Sequence, residues 1–149
     1  MKLHTASEVI SLAKKLESES AKLYRDLSRR YVKDGEVFTA FARENEANIV
    51  QIERAYYGVI TDAIEGGFAF DLEPDDYTFE AAPAQDASRS DALDKASAIE
   101  EKISRFYYDA AKQSDVLMAD IPRAFRQVAK KRDNRRARLK ALLDREAPK

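Results

Sequence analysis

The chain has no cysteine and no tryptophan, a single histidine, and only four glycines and four prolines among its 149 residues. Without cysteine there is no disulfide frame, no thiolate metal site and no cysteine nucleophile. No run is long and apolar enough to span a membrane. The first residues, MKLHTASEV, lack an apolar signal core, and a cytoplasmic location is the expectation. Neither a nucleotide-binding loop nor a catalytic triad is visible. The formal net charge is −1, so bulk charge points to no partner. His4 lies outside every helical stripe and reads as an exposed terminal residue.

What is present is charge and apolar periodicity. The length suits one domain over residues 1–149 with a sizeable core. High charge with few glycines and prolines reads as a mostly helical protein with charged outer faces. The first helix is expected from Thr5 to Tyr31, opened by a Thr5–Glu8 capping box. Its apolar stripe is Val9, Ala13, Leu16, Ser20, Leu23, Leu27 and Tyr31. Asp34-Gly35 breaks the chain. The second helix, from Glu36 to Ile64, turns Phe38, Phe41, Ala42, Asn45, Ile49, Ile52, Tyr56, Ile60 and Ala63 inward, and Gly66-Gly67 ends it.

A connection of about twenty residues follows, far longer than most links between helices. It runs from Gly66 to Arg89 and holds Pro74, Pro83, Phe68, Phe70, Leu72, Tyr77 and Phe79. The simplest reason for its length is that the second and third helices are parallel neighbours or diagonal partners. The chain must then travel the whole bundle, with its aromatics lying along it. The third helix spans Ser90 to Lys112, with Leu93, Ala96, Ile99, Ile103, Phe106, Tyr107 and Ala110 inward. The fourth opens near Asp120-Ile121-Pro122 and carries Ile121, Phe125, Val128, Arg132, Leu139 and Leu142 or Leu143 on one stripe, fraying near Pro148.

The first and third helices repeat each other. Leu16-Glu17 with Tyr24 aligns with Ile99-Glu100 with Tyr107, the tyrosine seven residues after the glutamate in both. The second and fourth match more loosely: Phe38, Phe41-Ala42 and Asn45 against Phe125, Val128-Ala129 and Arg132. Two similar helical hairpins joined by a crossover point to a duplication.

This pattern resembles the ferritin-like superfamily and, within it, the rubrerythrin-like di-iron domains, over nearly the whole chain. The resemblance implies an all-α, ferritin-like four-helix bundle with a long crossover between helices two and three. In that family the first and third helices each give a glutamate followed seven residues on by a tyrosine, as Leu16-Glu17-Ser18-Glu19 with Tyr24 and Ile99-Glu100 with Tyr107 do here. The second and fourth each give Glu-x-x-His or Glu-x-x-Glu. At those places this chain has Asn45 and Asn48, and Arg132 and Arg135. Ile103 stands where some rubrerythrins use an additional glutamate. The rubredoxin-like cysteine motif of a full rubrerythrin is missing.

Iron and manganese sites want carboxylate and imidazole donors. A guanidinium stays protonated and has no lone pair to give. The expectation is therefore that no cofactor is bound. Arg132 and Arg135 would replace the metal in bidentate pairs with Glu17 and Glu100, with Asn45 and Asn48 filling the remaining donor and acceptor needs. Tyr24 and Tyr107 would be core aromatics or would hydrogen-bond these carboxylates. On this reading the protein is structural, regulatory or an interaction protein, such as a regulator or partner of a redox system. The alternative is a working di-iron oxidoreductase or iron-handling protein, with iron or manganese held at the family positions or at a shifted site near Glu44, Glu46 and Asp133.

The fourth helix is basic through Arg126, Lys130, Lys131, Arg132, Arg135, Arg136, Arg138, Lys140 and Arg145. It lacks interleaved aromatics, and nucleic acid is not the expected partner. Residues 62–86 hold eight acidic side chains and no basic one. Opposite charge suggests that this segment and the fourth helix pack together, within one chain or across a homodimer.

Overall fold

The computed structural model describes residues 2–59, 70–80, 88–114 and 120–146. Four long helices account for most of them: α1 (Ala6–Arg30), α2 (Gly35–Val59), α3 (Arg89–Ser114) and α4 (Asp120–Glu146). The Gly66-Gly67 stop, the inward places of Ile60 and Ala63, Phe68, Pro83 and the fray near Pro148 lie outside the described residues. No helix among the described residues is long and apolar enough to cross a membrane.

The start of α1 is fixed by its cap. Thr5 Oγ1 accepts from the Glu8 backbone N–H at 3.1 Å, and Glu8 Oε1 accepts from the Thr5 and His4 N–H groups at 3.1 and 2.9 Å. Those two N–H groups hold the Glu8 carboxyl below its ordinary value. A short 3-10 turn, Val32–Asp34, then reverses the chain into α2. The inward stripes of α1, α3 and α4 fall where the periodicity places them, and α4 buries Leu142 rather than Leu143. On α2 the line shifts: Asn48 is fully buried while Ile49 is only half-buried.

α1 packs against α2 and α3 against α4, with further contact between α2 and α4. Arg89, at the start of α3, fixes the direction. Its Nε donates to Asp34 at 2.6 Å, and its Nη atoms reach the Leu142 carbonyl at 3.4 Å. The start of α2, the start of α3 and the end of α4 thus share one end of the bundle, so α2 and α3 run parallel on a diagonal.

The crossover follows α3 backwards. Asp71 and Gln113 exchange backbone and side-chain hydrogen bonds, Tyr77 donates to Asp109 at 2.6 Å, and Lys102 reaches the Thr78 carbonyl. Phe70, Leu72 and Tyr77 are buried, and Phe79 packs on the core. Leu3 and Leu72 form an antiparallel β-bridge, and Phe70 N–H donates to the His4 carbonyl. His4 is therefore not a free terminal residue. It is half-buried, with its ring Nδ1 3.3 Å from the Phe70 carbonyl, because the backbone on either side of it forms part of the strip that anchors the crossover.

Candidate functional site

Midway along the bundle the apolar core is interrupted by a polar layer. Glu17 and Ser20 come from α1, Asn45 and Asn48 from α2, Glu100 from α3, and Arg132 and Arg135 from α4; all are buried, and Arg135 is the most exposed at 2 %. Each sits on the inward stripe of its helix, so amphipathic packing alone carries it into the centre. Six positions singled out in the sequence, Glu17, Asn45, Asn48, Glu100, Arg132 and Arg135, lie in this layer.

The pairing differs from two parallel bidentate bridges. Arg132 alone spans both central carboxylates. Its Nη1 donates to Glu100 Oε1 and Oε2 at 2.8 and 2.9 Å and to Ser20 Oγ at 3.0 Å. Its Nη2 lies 2.8 Å from Glu17 Oε1, a charge contact whose N–H is not aimed at the oxygen. Arg135 is drawn aside by a third carboxylate. Its Nε donates to Glu44 at 2.8 Å, its Nη2 to the Phe41 carbonyl at 2.8 Å, and only a 3.4 Å contact remains to Glu100. The Arg135 guanidinium lies 4.9 Å from the Phe41 ring centre and 5.5 Å from that of Tyr24, which favours a desolvated cation.

The two tyrosines are exchanged between the halves. Tyr107 on α3 donates to Glu17 on α1 at 2.6 Å. Tyr24 on α1 donates to Glu100 on α3. Asn48 Nδ2 adds a bond to Glu17 at 3.2 Å, and Asn45 Nδ2 bonds Ser20 at 3.2 Å. Lys131 closes the layer on the outside, reaching Asn48 Oδ1 at 3.2 Å and Gln51 at 2.9 Å. Counting Lys131, three cations meet three carboxylates. Asn45 Oδ1 and Arg132 Nε are buried without a partner.

Burial pulls the Arg132 guanidinium toward losing its proton, but Glu100 and Glu17 outweigh it and hold its pKa well above the ordinary value. Burial and the adjacent carboxylates, Glu100 for Tyr24 and Glu17 for Tyr107, push both phenols well above theirs. At neutral pH the layer holds a fixed cation and two protonated phenols.

A di-metal centre does not fit these residues. The Arg132 guanidinium touches both glutamates that would have to share an ion, and the four remaining places carry amides and guanidiniums. The three acids of the alternative, shifted metal site are scattered as well. Glu44 binds Arg135, Glu46 pairs outward with Arg25, and Asp133 accepts from Ser104 and Tyr108. Among the described residues no three His, Cys, Asp or Glu gather where they would hold a metal ion.

Sequence reasoning missed Ser20 and Lys131 and left Glu44 outside the layer. Ser20 had a signal, a hydroxyl at the centre of an apolar stripe three residues after Glu17. Glu44 had none, because its place depends on which way the Arg135 side chain turns. Set against models of known protein families, curated proteins and solved structures, the chain matches none of them.

Proposed function

We propose that this chain is a ferritin-like, rubrerythrin-like bundle in which an internal ionic layer stands where a di-iron centre would be, and that it serves as a structural, regulatory or interaction protein. The observation that carries this reading is Arg132, whose guanidinium lies between Glu17 and Glu100. It supplies positive charge at the place where a metal would bridge two carboxylates, and it has no lone pair with which to bind one. No metal is part of the proposed function, and no redox step is assigned.

Metal analysis tests the reading. The protein, prepared with iron and manganese supplied during expression, is expected to carry neither in stoichiometric amount. The variant Asn45→Glu, Asn48→His, Arg132→Glu and Arg135→His restores the family's donor types at the four departed places and is expected to take up iron. Stoichiometric metal in the parent overturns the proposal in favour of a di-iron oxidoreductase or iron-handling protein.

A further inference from the structure

A surface cavity of about 450 Å³ lies between α2 and α4, beside the polar layer. Phe41 and Glu44 line it from α2, and Lys131, Asn134, Arg135 and Arg138 from α4. The four α4 residues recur at i, i+3, i+4 and i+7 and so share one side of the helix. Ala137 and Ala141 complete the wall, which is mostly apolar. The volume falls in the range of small-molecule pockets, where a few polar groups converge in an apolar lining.

The charges in this lining do not balance. Among the described residues, Lys131, Arg135 and Arg138 share the cavity with a single acid, Glu44. The Glu44 carboxylate is committed to Arg135 Nε at 2.8 Å. Lys131 donates to neutral acceptors, the Asn48 and Gln51 side-chain oxygens at 3.2 and 2.9 Å, and keeps a third N–H for another partner. Arg138 is exposed and has no ion-pair partner among the described residues. Elsewhere on α4, by contrast, Arg136 pairs with Glu101 and Arg123 with Asp120. Even with Lys131 set against the three carboxylates of the layer, Arg138 remains as one positive charge in excess.

We propose that this cavity binds a small aliphatic monocarboxylate, its anionic head between Arg138 and Lys131 and its chain against Phe41, Ala137 and Ala141. One excess charge calls for one anionic group, and a mostly apolar wall calls for a body without further charge. The Asn134 side chain offers amide N–H groups to the same head. Glu44, seated on Arg135, shows that this side of α4 holds a carboxylate. The same Glu44 opposes an incoming head by like charge. A phosphate ester, with about two negative charges at neutral pH, meets that repulsion doubled and exceeds the single charge to be balanced.

Amide NMR titrations of the full chain with sodium acetate, butyrate, hexanoate and phosphate, each against sodium chloride at equal ionic strength, test this. Hexanoate should shift the Asn134 side-chain amide and the backbone amides of residues 131–141 along a saturable curve, with a Kd on the order of 1 mM. Affinity should rise roughly two- to threefold for each methylene added, as for a partly buried chain. Arg138→Glu should weaken hexanoate binding roughly tenfold, and Glu44→Gln, which removes the opposing charge, should tighten it roughly threefold. Unchanged amide shifts in α1 and α3 confirm that each variant is folded. Equal shifts with chloride, no dependence on chain length, tighter binding of phosphate than of hexanoate, an Arg138→Glu variant that binds as the parent does, or a Glu44→Gln variant that binds more weakly overturns the proposal.

Discussion

Arg132 is the residue on which the centre depends. A buried ion pair adds little net stability, because desolvation offsets most of the attraction. Removing one partner is different, since it strands the other. Arg132→Ala leaves Glu17 and Glu100 without their shared cation and is expected to cost about 3–5 kcal/mol by urea unfolding. A loss below about 1 kcal/mol is what an exposed pair would give, and would contradict the burial seen here. The tyrosines make a separate prediction in alkali. Their folded pKa values lie above that of a free phenol, about 10. Their contribution to stability is whole below that pH and declines as pH rises toward the folded values, by at most about 1.4 kcal/mol per pH unit for each tyrosine. Unfolding midpoints from pH 8 to 11 should therefore fall less steeply for Tyr107→Phe than for the parent, and phenolate absorbance should show tyrosines that ionise only on unfolding. At this scale the sequence reveals six residues of the layer, Glu17, Asn45, Asn48, Glu100, Arg132 and Arg135, because stripe position decides burial. The partner of each was less legible. Arg135 turns to Glu44 and the Phe41 carbonyl because its long stem has several nearby acceptors, and no spacing rule chooses among them.

The helices were legible in the sequence because their signals are local: a capping box at Thr5, a break at Asp34-Gly35, and apolar residues at helical spacing. The crossover was legible only in part. Its length implied a path along the bundle, and its aromatics implied contact. Its anchor on Leu3 and His4 was hidden, because a β-bridge is made by backbone groups common to every residue. One side-chain anchor can be tested. The Tyr77 hydroxyl donates to Asp109, and its ring meets Phe106 edge-on at 5.3 Å. Tyr77→Phe keeps the ring and removes the bond, and is expected to cost about 1 kcal/mol. Limited proteolysis within residues 70–80 should accelerate while the helices stay protected. Unchanged cleavage would mean that the β-bridge and the buried Phe70 and Leu72 hold the segment without it.

For the whole molecule, the parallel run of α2 and α3 follows from the crossover, whereas their diagonal placement, left open against a neighbouring one, is decided by the helix contacts, and Arg89 shows which ends meet. The internal repeat of Glu17–Tyr24 and Glu100–Tyr107 was visible as spacing. Its exchange across the halves was not, because a repeat shows that two segments are alike and leaves open which of them touch. That exchange bears on how the chain folds. Each carboxylate takes its phenolic hydrogen bond from the other half, so the α1–α2 hairpin and the α3–α4 hairpin each lack a donor that only their union provides. A half closed alone would have to bury an under-solvated acid or leave its mid-section open to water. Neither half is then a stable stopping point, and the two should be gained and lost together in one cooperative transition.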